Sequence, residues 1–387
     1  MDFDVVVVGG GLIGSSLALA LKGSGLKLAL IESQAPEFSV TEDWDKRVYS
    51  VSPGSAAFLE RCGIWNALDR TRMGPVLEME VFGDRPSSRI TFSAYDAHVP
   101  ELAWVVENRL MLQALNQAVA EQENVARFCP STCRALAWER ECTYLELEDG
   151  QILTAQLVVG ADGLDSWVRR ESGIETEIAS YGQMGVVANF ECEKPHRHTA
   201  RQWFRADGVL AYLPLPGDRM SVVFSTPAER AQELLELSPA DFAGEIAEAG
   251  RHSLGELRLI GTRAAFQLTR VRVEQLVLPR IALLGDAAHV IHPLAGQGVN
   301  LGFRDANKLA EVLLGRVQGV DCGDCALLRR YERARREDIA VTTWLTDALS
   351  RLFSNGRLSL SWLRNTGLSL IDRLPLIKPM LVQHALA

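Results

Sequence analysis

Three short segments hold the residue types that could do chemistry, and each reads as a turn presenting backbone and a carboxylate to a phosphate-bearing ligand. The first is Gly9-x-Gly11-x-x-Gly14, set between a β-branched run and an apolar helical stretch, with Glu32 closing the next apolar run. Gly9 permits a tight turn, Gly11 lets a pyrophosphate approach the backbone, and Gly14 lets helix pack on strand. The N–H groups of Leu12 and Ile13 at the helix start would face the anion. Glu32 would accept hydrogen bonds from a ribose that lacks a 2′-phosphate. This motif alone does not separate NAD from FAD.

The other two segments do. They are Gly160-Ala161-Asp162-Gly163-x-x-Ser166-x-x-Arg169 and Gly285-Asp286-Ala287-Ala288-His289-x-x-x-Pro293-x-x-Gly296-Gln297-Gly298-Val299-Asn300, each following a buried-strand pattern. Asp286 could hold ribityl hydroxyls. The helix opening after Gly296 and Gly298 would bring its positive end near the pyrimidine side of an isoalloxazine and steady negative charge on a reduced flavin. Asp162 or Asp286 taken singly could equally cap a helix. Two such loops around one dinucleotide motif point to a large coenzyme, FAD. No side chain is expected to act as nucleophile, because the reactive group would be the coenzyme.

No metal is expected. His289 and His292 stand three apart without a third ligand at matching spacing, and the pairs Cys129/Cys133 and Cys322/Cys325 have no nearby histidine partner. Seven scattered cysteines and no export signal read as reduced thiols in a cytoplasmic protein. The uncharged stretch of residues 5–21 is neither signal peptide nor membrane span: Asp2 and Asp4 stand where basic residues should be, and glycines cut its interior.

The elements that must position these segments alternate in kind. Residues 3–8, a helix over 12–22 and a strand over 27–31 form a βαβ unit. Residues 50–68 and 109–121 read as helical, residues 75–99 as strands, and residues 157–159 as a strand running into the Asp162 loop. Residues 183–228 break into short strands separated by Gly and Pro turns, as in an antiparallel sheet. A buried strand at 281–284 then leads into a long helical region. The fold class is therefore α/β, a Rossmann-like FAD-binding domain (residues 1–72, 100–182 and 270–330) interrupted by a mixed or antiparallel sheet substrate domain (73–99 and 183–269), with a helical C-terminal region (331–387).

Composition agrees with a folded body: 47% apolar and 23% charged residues in 387 exclude disordered and collagenous chains. A net charge of −9 argues against nucleic acid as a partner. Residues 326–387 run against that balance with ten basic and five acidic side chains. Their ordinary reading is solvated helix faces. A basic stretch carrying Trp344, Leu345, Leu349, Leu352 and Phe353 at helical intervals would also suit a membrane surface, with core packing of that stripe the simpler alternative.

The chain resembles the class A FAD-dependent aromatic monooxygenases and, more narrowly, the ubiquinone-biosynthesis hydroxylase family. The narrower resemblance rests on Gly285-Asp286-Ala287-Ala288-His289, Pro293-Leu294-Ala295-Gly296-Gln297-Gly298-Val299-Asn300-Leu301-Gly302 and Asp305. Arg47-Val48-Tyr49-Ser50-Val51-Ser52, Val106-Glu107-Asn108-Arg109, Leu210-Ala211-Tyr212-Leu213-Pro214-Leu215-Pro216 and the tail around Leu363–Pro375 support it. The resemblance implies a para-hydroxybenzoate-hydroxylase-like fold, with Arg47 and Arg109 beside FAD and Tyr212, Pro214 and His292 toward substrate. It implies NADH or NADPH visiting transiently at the Asp162 loop, O₂ adding at the flavin C4a carbon, and the hydroperoxide delivering oxygen to the ring of a polyprenylated phenol. It further implies association with a quinone-biosynthesis assembly or the inner membrane face. Three alternatives stay open: a hydroxylase of a soluble aromatic acid, which an Arg-lined pocket would favour; a flavin reductase or dehydrogenase that uses no O₂; and a non-catalytic flavoprotein scaffold.

Overall fold

The computed structural model describes residues 1–36, 43–83 and 89–354, and structural statements below concern these residues. The tail segment 363–375 and the side chains of Leu349, Leu352 and Phe353 lie outside them.

The first sheet runs in the order Val277–Leu278, Ile281–Leu283, Ile152–Gly160, Phe3–Val8, Leu28–Ile31, Val125–Phe128. Phe3–Val8 is parallel to both its neighbours, with Val6 opposite Val158 on one side and Ala29 on the other. Val5, Val6 and Val7 are wholly buried, which is why this strand is an unbroken apolar run and not an alternating one. Helix α1 (Leu12–Ala20) follows it directly. Helix α2 (Pro53–Arg61) starts later than the sequence suggests, because Val48–Val51 is drawn into a small sheet with Ala103–Glu107 and Gly74–Val76. Ser52 then caps α2 through the Ser55 N–H, and Pro53 sits in its first turn. Helix α3 is Asn108–Ala120 and helix α4 is Trp167–Glu171.

The second sheet has the order His289–Val290, Leu257–Val273, Thr176–Cys192, Arg219–Pro227, Gly208–Leu215, Thr199–Arg205, Glu78–Phe82, Arg89–Ser93. Every pairing is antiparallel except Thr199–Arg205 with Glu78–Phe82. One face carries Val186, Ala188, Trp203, Leu210, Tyr212, Val222 and Phe224, which form a core with Phe242 and Ile246 of the covering helices α5 (Ala228–Glu236) and α6 (Pro239–Ala249). Because strand side chains alternate, the intervening residues occupy the opposite face.

Helix α7 (Gln297–Leu314) packs on α1, and α8 (Cys325–Ser354) packs on α7. On α8 it is Thr342 and Thr346 that turn inward, at 2% and 4% exposure. Trp344 is 71% exposed, so core packing of the apolar stripe fails for its largest member. No described helix is long and apolar enough to cross a membrane.

Candidate coenzyme and substrate site

The three predicted loops come together at the ends of the parallel strands, the usual ligand position in such sheets. Gly9 adopts φ +106°, and a Cβ there would fall 2.3 Å from the Ala161 carbonyl oxygen, so the first and second loops touch backbone to backbone. A Cβ on Gly14 would lie 2.0 Å from the Gly9 carbonyl oxygen. Gly285, at φ +55°, lies over Ile13, and Gly302 of α7 packs on the same side chain, which closes the third loop against the first. Glu32 accepts the Gly10 N–H at 2.8 Å through Oε2 and the Gln34 N–H at 3.0 Å through Oε1, holding strand end and glycine turn together.

Two glycines behave differently. A Cβ on Gly11 or Gly298 would meet no atom within 4 Å. Both stand at helix starts, α1 and α7, whose N-caps Gly11 and Gly296 offer no side chain to the free N–H groups. Helices α2, α4 and α6 are capped by Ser52, Ser166 and Ser238, while α3 and α5 also lack a side-chain cap, so the open space at Gly11 and Gly298 is what sets the starts of α1 and α7 apart. Two uncapped positive helix ends, bare of side chains and packed against each other, suit a ligand with anionic phosphate at one end and developing negative charge at the other.

Asp286 is exposed, yet the surrounding protein raises its carboxyl above the ordinary value, opposed by His289 and Arg47. Accessible and desolvated together describe a recess. Arg47 is exposed and lies 5.5 Å over the Tyr49 ring, and burial pushes that phenol up. Arg109 is tied to the same segment: its backbone N–H bonds Asp45 Oδ2 at 3.0 Å and its guanidinium reaches the Asp43 carbonyl oxygen at 2.6 Å. Buried Glu107 completes this knot, accepting from Arg72 at 2.7 Å and from the Asp45 N–H at 2.7 Å.

Some named residues support the site and do not line it. Asp162 spends its carboxylate on α4, accepting from the Ser166 hydroxyl at 2.6 Å and the Trp167 and Val168 N–H groups at 2.7 and 3.0 Å. Here the helix-cap reading describes its side chain. Asn300 is 1% exposed and splices α7 to the small sheet, accepting from Ser52 N–H at 2.9 Å and donating to the Ser50 carbonyl at 2.8 Å. Pro293 begins the turn that ends at Gly296, and Val299, half-buried, follows in the first turn of α7.

The substrate expectations need correction. Tyr212 is 1% exposed, sits edge-on to Trp203 and donates to the Ile246 carbonyl of α6, on the face turned away from the recess. Strand alternation assigns buried Pro214 to that same side. Ala211 and Leu213 take the open face instead. His292 is fully buried, stacked edge-on to Tyr181 and bonded at 3.1 Å to Gln183, and burial lowers it to about 4. It is a neutral packing residue behind the turn. His289 Nε2 meets Asp305 Oδ2 at 2.6 Å, and no cluster of three or more metal-binding side chains is found among the described residues.

Asp305 entered the sequence reading only as part of the resemblance, without a role of its own. Wholly buried, it accepts from Gly285 N–H at 3.0 Å, from His289, and from Arg335 of α8 at 2.6 Å. Burial opposes its charge, but His289 and Arg335 outweigh it and hold the carboxyl below the ordinary range. Asp338 joins Arg335 to Arg304, which donates to Gln297 at the start of α7 at 3.1 Å. Nothing in the spacing of 305, 335 and 338 announces this network.

Comparison with known proteins agrees with this geometry. The sequence profile of the FAD binding domain family matches residues 2–343. Ubiquinone hydroxylase UbiL of Rhodospirillum rubrum is 35% identical over 384 residues, covering 99% of this chain and 89% of that one. The 3-demethoxyubiquinol 3-hydroxylase of Escherichia coli is 34% identical over 99% of this chain and 98% of its own. The crystal structure of p-nitrophenol 4-monooxygenase PnpA from Pseudomonas putida superposes with a TM-score of 0.78 at 17% identity, covering 100% and 98% of the two chains, and shows the shared para-hydroxybenzoate-hydroxylase-like fold. With bare, uncapped helix starts where a dinucleotide needs them and a profile match over nearly the whole chain, this protein belongs to the FAD binding domain family of FAD-dependent monooxygenases.

Proposed function

We propose that the protein hydroxylates the aromatic ring of a polyprenylated phenol in ubiquinone synthesis, using NAD(P)H and O₂. The observation that carries the reading is the open face of the second sheet. Val187, Ala211, Leu213 and Val223 are half-buried there, in the middle of a sheet whose opposite face is sealed by helices. Apolar side chains left only half-buried at such a place suit the wall of a recess, and none of the four offers a cation to a carboxylate. A soluble aromatic acid would need one. The names of the two relatives support the same substrate class.

FAD, when bound, supplies the hydride acceptor and the means of activating O₂. The chain supplies the rest. Gly11, Leu12 and Ile13 would present N–H groups to the pyrophosphate, Glu32 would hold the ribose, and Asp286 the ribityl hydroxyls. The start of α7 at Gly298 and Val299 would stabilise negative charge on the ring system. Arg47 and Arg109 would add positive charge beside the coenzyme, and the apolar wall would orient the substrate ring and exclude water.

Two experiments test the reading. Asp286→Ala should purify with markedly less flavin than wild type, and unchanged uptake would contradict the assignment. Deleting the gene in its host should accumulate an under-hydroxylated prenylated precursor, detected by mass spectrometry. A membrane-surface role draws support from Trp344 and Val341, 71% and 47% exposed on α8 next to a basic tail. Equal sedimentation with anionic liposomes of wild type and a charge-reversed tail variant would eliminate it.

A further inference from the structure

The open face of the second sheet carries a row of residues paired across four neighbouring strands: Gln202 opposite Ala211, Ala211 opposite Val223, and Val223 opposite Val187. Gln202 is the polar member. It is 6% exposed, yet its carboxamide makes no hydrogen bond to any described residue. Its amide atoms are not among the partnerless side-chain atoms sealed from solvent, so they open on the recess and stay available to whatever enters it. Its neighbour in sequence, Trp203, fills the helix-covered core, which fixes Gln202 on the side of the recess.

The surroundings define what that amide meets. Toward one end, Phe204 and Val209 pack with Leu294 of the turn that precedes α7. In the other direction, Leu213 and Asn189 stand opposite Ser221, and Asn189 donates to the Asp45 carbonyl at 3.0 Å, beside the segment that carries Arg47. Ser221 Oγ and Asn189 Oδ1 are buried without partners. The face is thus apolar with neutral polar groups and no ionised one among these residues.

We propose that Gln202 is a specificity-determining residue, its carboxamide hydrogen-bonding an oxygen substituent on a neutral aromatic ring lying along Ala211, Val223 and Val187. This rests on the hydroxylase reading and sharpens it, because it selects an uncharged phenol and gives the ring one orientation. An amide can donate to a phenol oxygen or accept from its hydroxyl, but it cannot neutralise a carboxylate.

The test uses FAD-loaded wild type and Gln202→Leu with two probes, 2-prenylphenol and prenylbenzene. Binding is read from perturbation of the flavin absorption spectrum and turnover from NAD(P)H oxidation. Gln202→Leu should weaken phenol binding and lower kcat/KM about 10- to 100-fold. It should leave flavin affinity and the urea midpoint near wild type, and bind prenylbenzene at least as well. Equal weakening for both probes, no weakening for the phenol, or no phenol binding by wild type overturns the assignment. If wild type binds the phenol through Gln202 but shows no phenol-stimulated turnover, the hydroxylase reading falls and Gln202 stands. If turnover is present and Gln202→Leu matches wild type, the reverse holds.

Discussion

Replacing Gly11 and Gly14 by alanine, one at a time, should separate binding from folding within a single turn. At Gly11 the backbone sits at φ −71° and ψ −168°, which any residue adopts, and the added methyl meets nothing within 4 Å. Alanine is a poorer N-cap than glycine, so Gly11→Ala should alter stability by no more than about 1 kcal/mol. The methyl would, however, occupy the approach of the pyrophosphate to the N–H groups of α1. Losing one charge-assisted hydrogen bond of about 1.5–3 kcal/mol weakens FAD binding about 10- to 100-fold. At Gly14 the methyl falls 2.0 Å from the Gly9 carbonyl oxygen, where only backbone movement can make room, and a loss of about 3 kcal/mol of stability is expected. Urea unfolding of the flavin-free proteins and fluorescence titration with FAD read the two effects independently. A Gly11→Ala protein that binds FAD like wild type, or that unfolds as readily as Gly14→Ala, would refute the placement of the coenzyme at this helix start.

Arg335→Met should leave Asp305 buried without its permanently charged partner and destabilise the protein by about 3–5 kcal/mol, with weakened flavin retention because Gly285 and His289 lose their anchor; a urea midpoint near wild type would contradict this. Tyr212→Phe removes only the hydrogen bond to Ile246, so thermal unfolding should register a loss of about 1 kcal/mol while kcat/KM stays unchanged, and an altered kcat/KM would return Tyr212 to the substrate site. His292, ordinarily near 6.5, is held down to about 4 by burial. The unfolded chain binds a proton there that the native protein refuses, so stability falls as pH drops from about 6.5 toward 4, by up to about 3 kcal/mol from this group. Urea midpoints of wild type and His292→Gln across that interval should differ in slope, with the wild type steeper.

Much of the candidate coenzyme site could be read from sequence because most of its determinants are local. Gly9 takes its φ of +106° within its own turn, Gly14 answers to the Gly9 carbonyl five residues back, and the position of Glu32 follows from the length of one strand. Spacing likewise distinguishes the third loop, with Gly285, Asp286, Gly296 and Gly298 read from their order alone. The α/β class and the antiparallel middle follow from run length and alternation, which reflect whether a strand is buried on one face or two. Where sequence reading failed, the cause was non-local. The helix expected over 50–68 yields its start to Val48–Val51 because that strand pairs with Ala103–Glu107, some 50 positions away. Asp162 looks alike as ligand and as cap until the Trp167 and Val168 N–H groups are seen to consume it.

The open face of the second sheet shows the division most plainly. Period-two alternation along Gly208–Leu215 establishes that Tyr212 and Leu213 face opposite ways, but a strand has no mark saying which face meets the coenzyme. That was decided by where α5 and α6 dock, which sends Tyr212 and Trp203 into the core and leaves Gln202, Ala211 and Leu213 toward the recess. The buried chain from Arg335 through Asp305 to Gly285 has the same origin. Three residues up to 50 positions apart meet only because α7 and α8 pack together, and packing of distant elements is a property of the folded whole. Sequence determined the ligand class through turns and spacings set by nearest neighbours; tertiary structure decided which side chains line the site, because burial and facing depend on what lands on each surface.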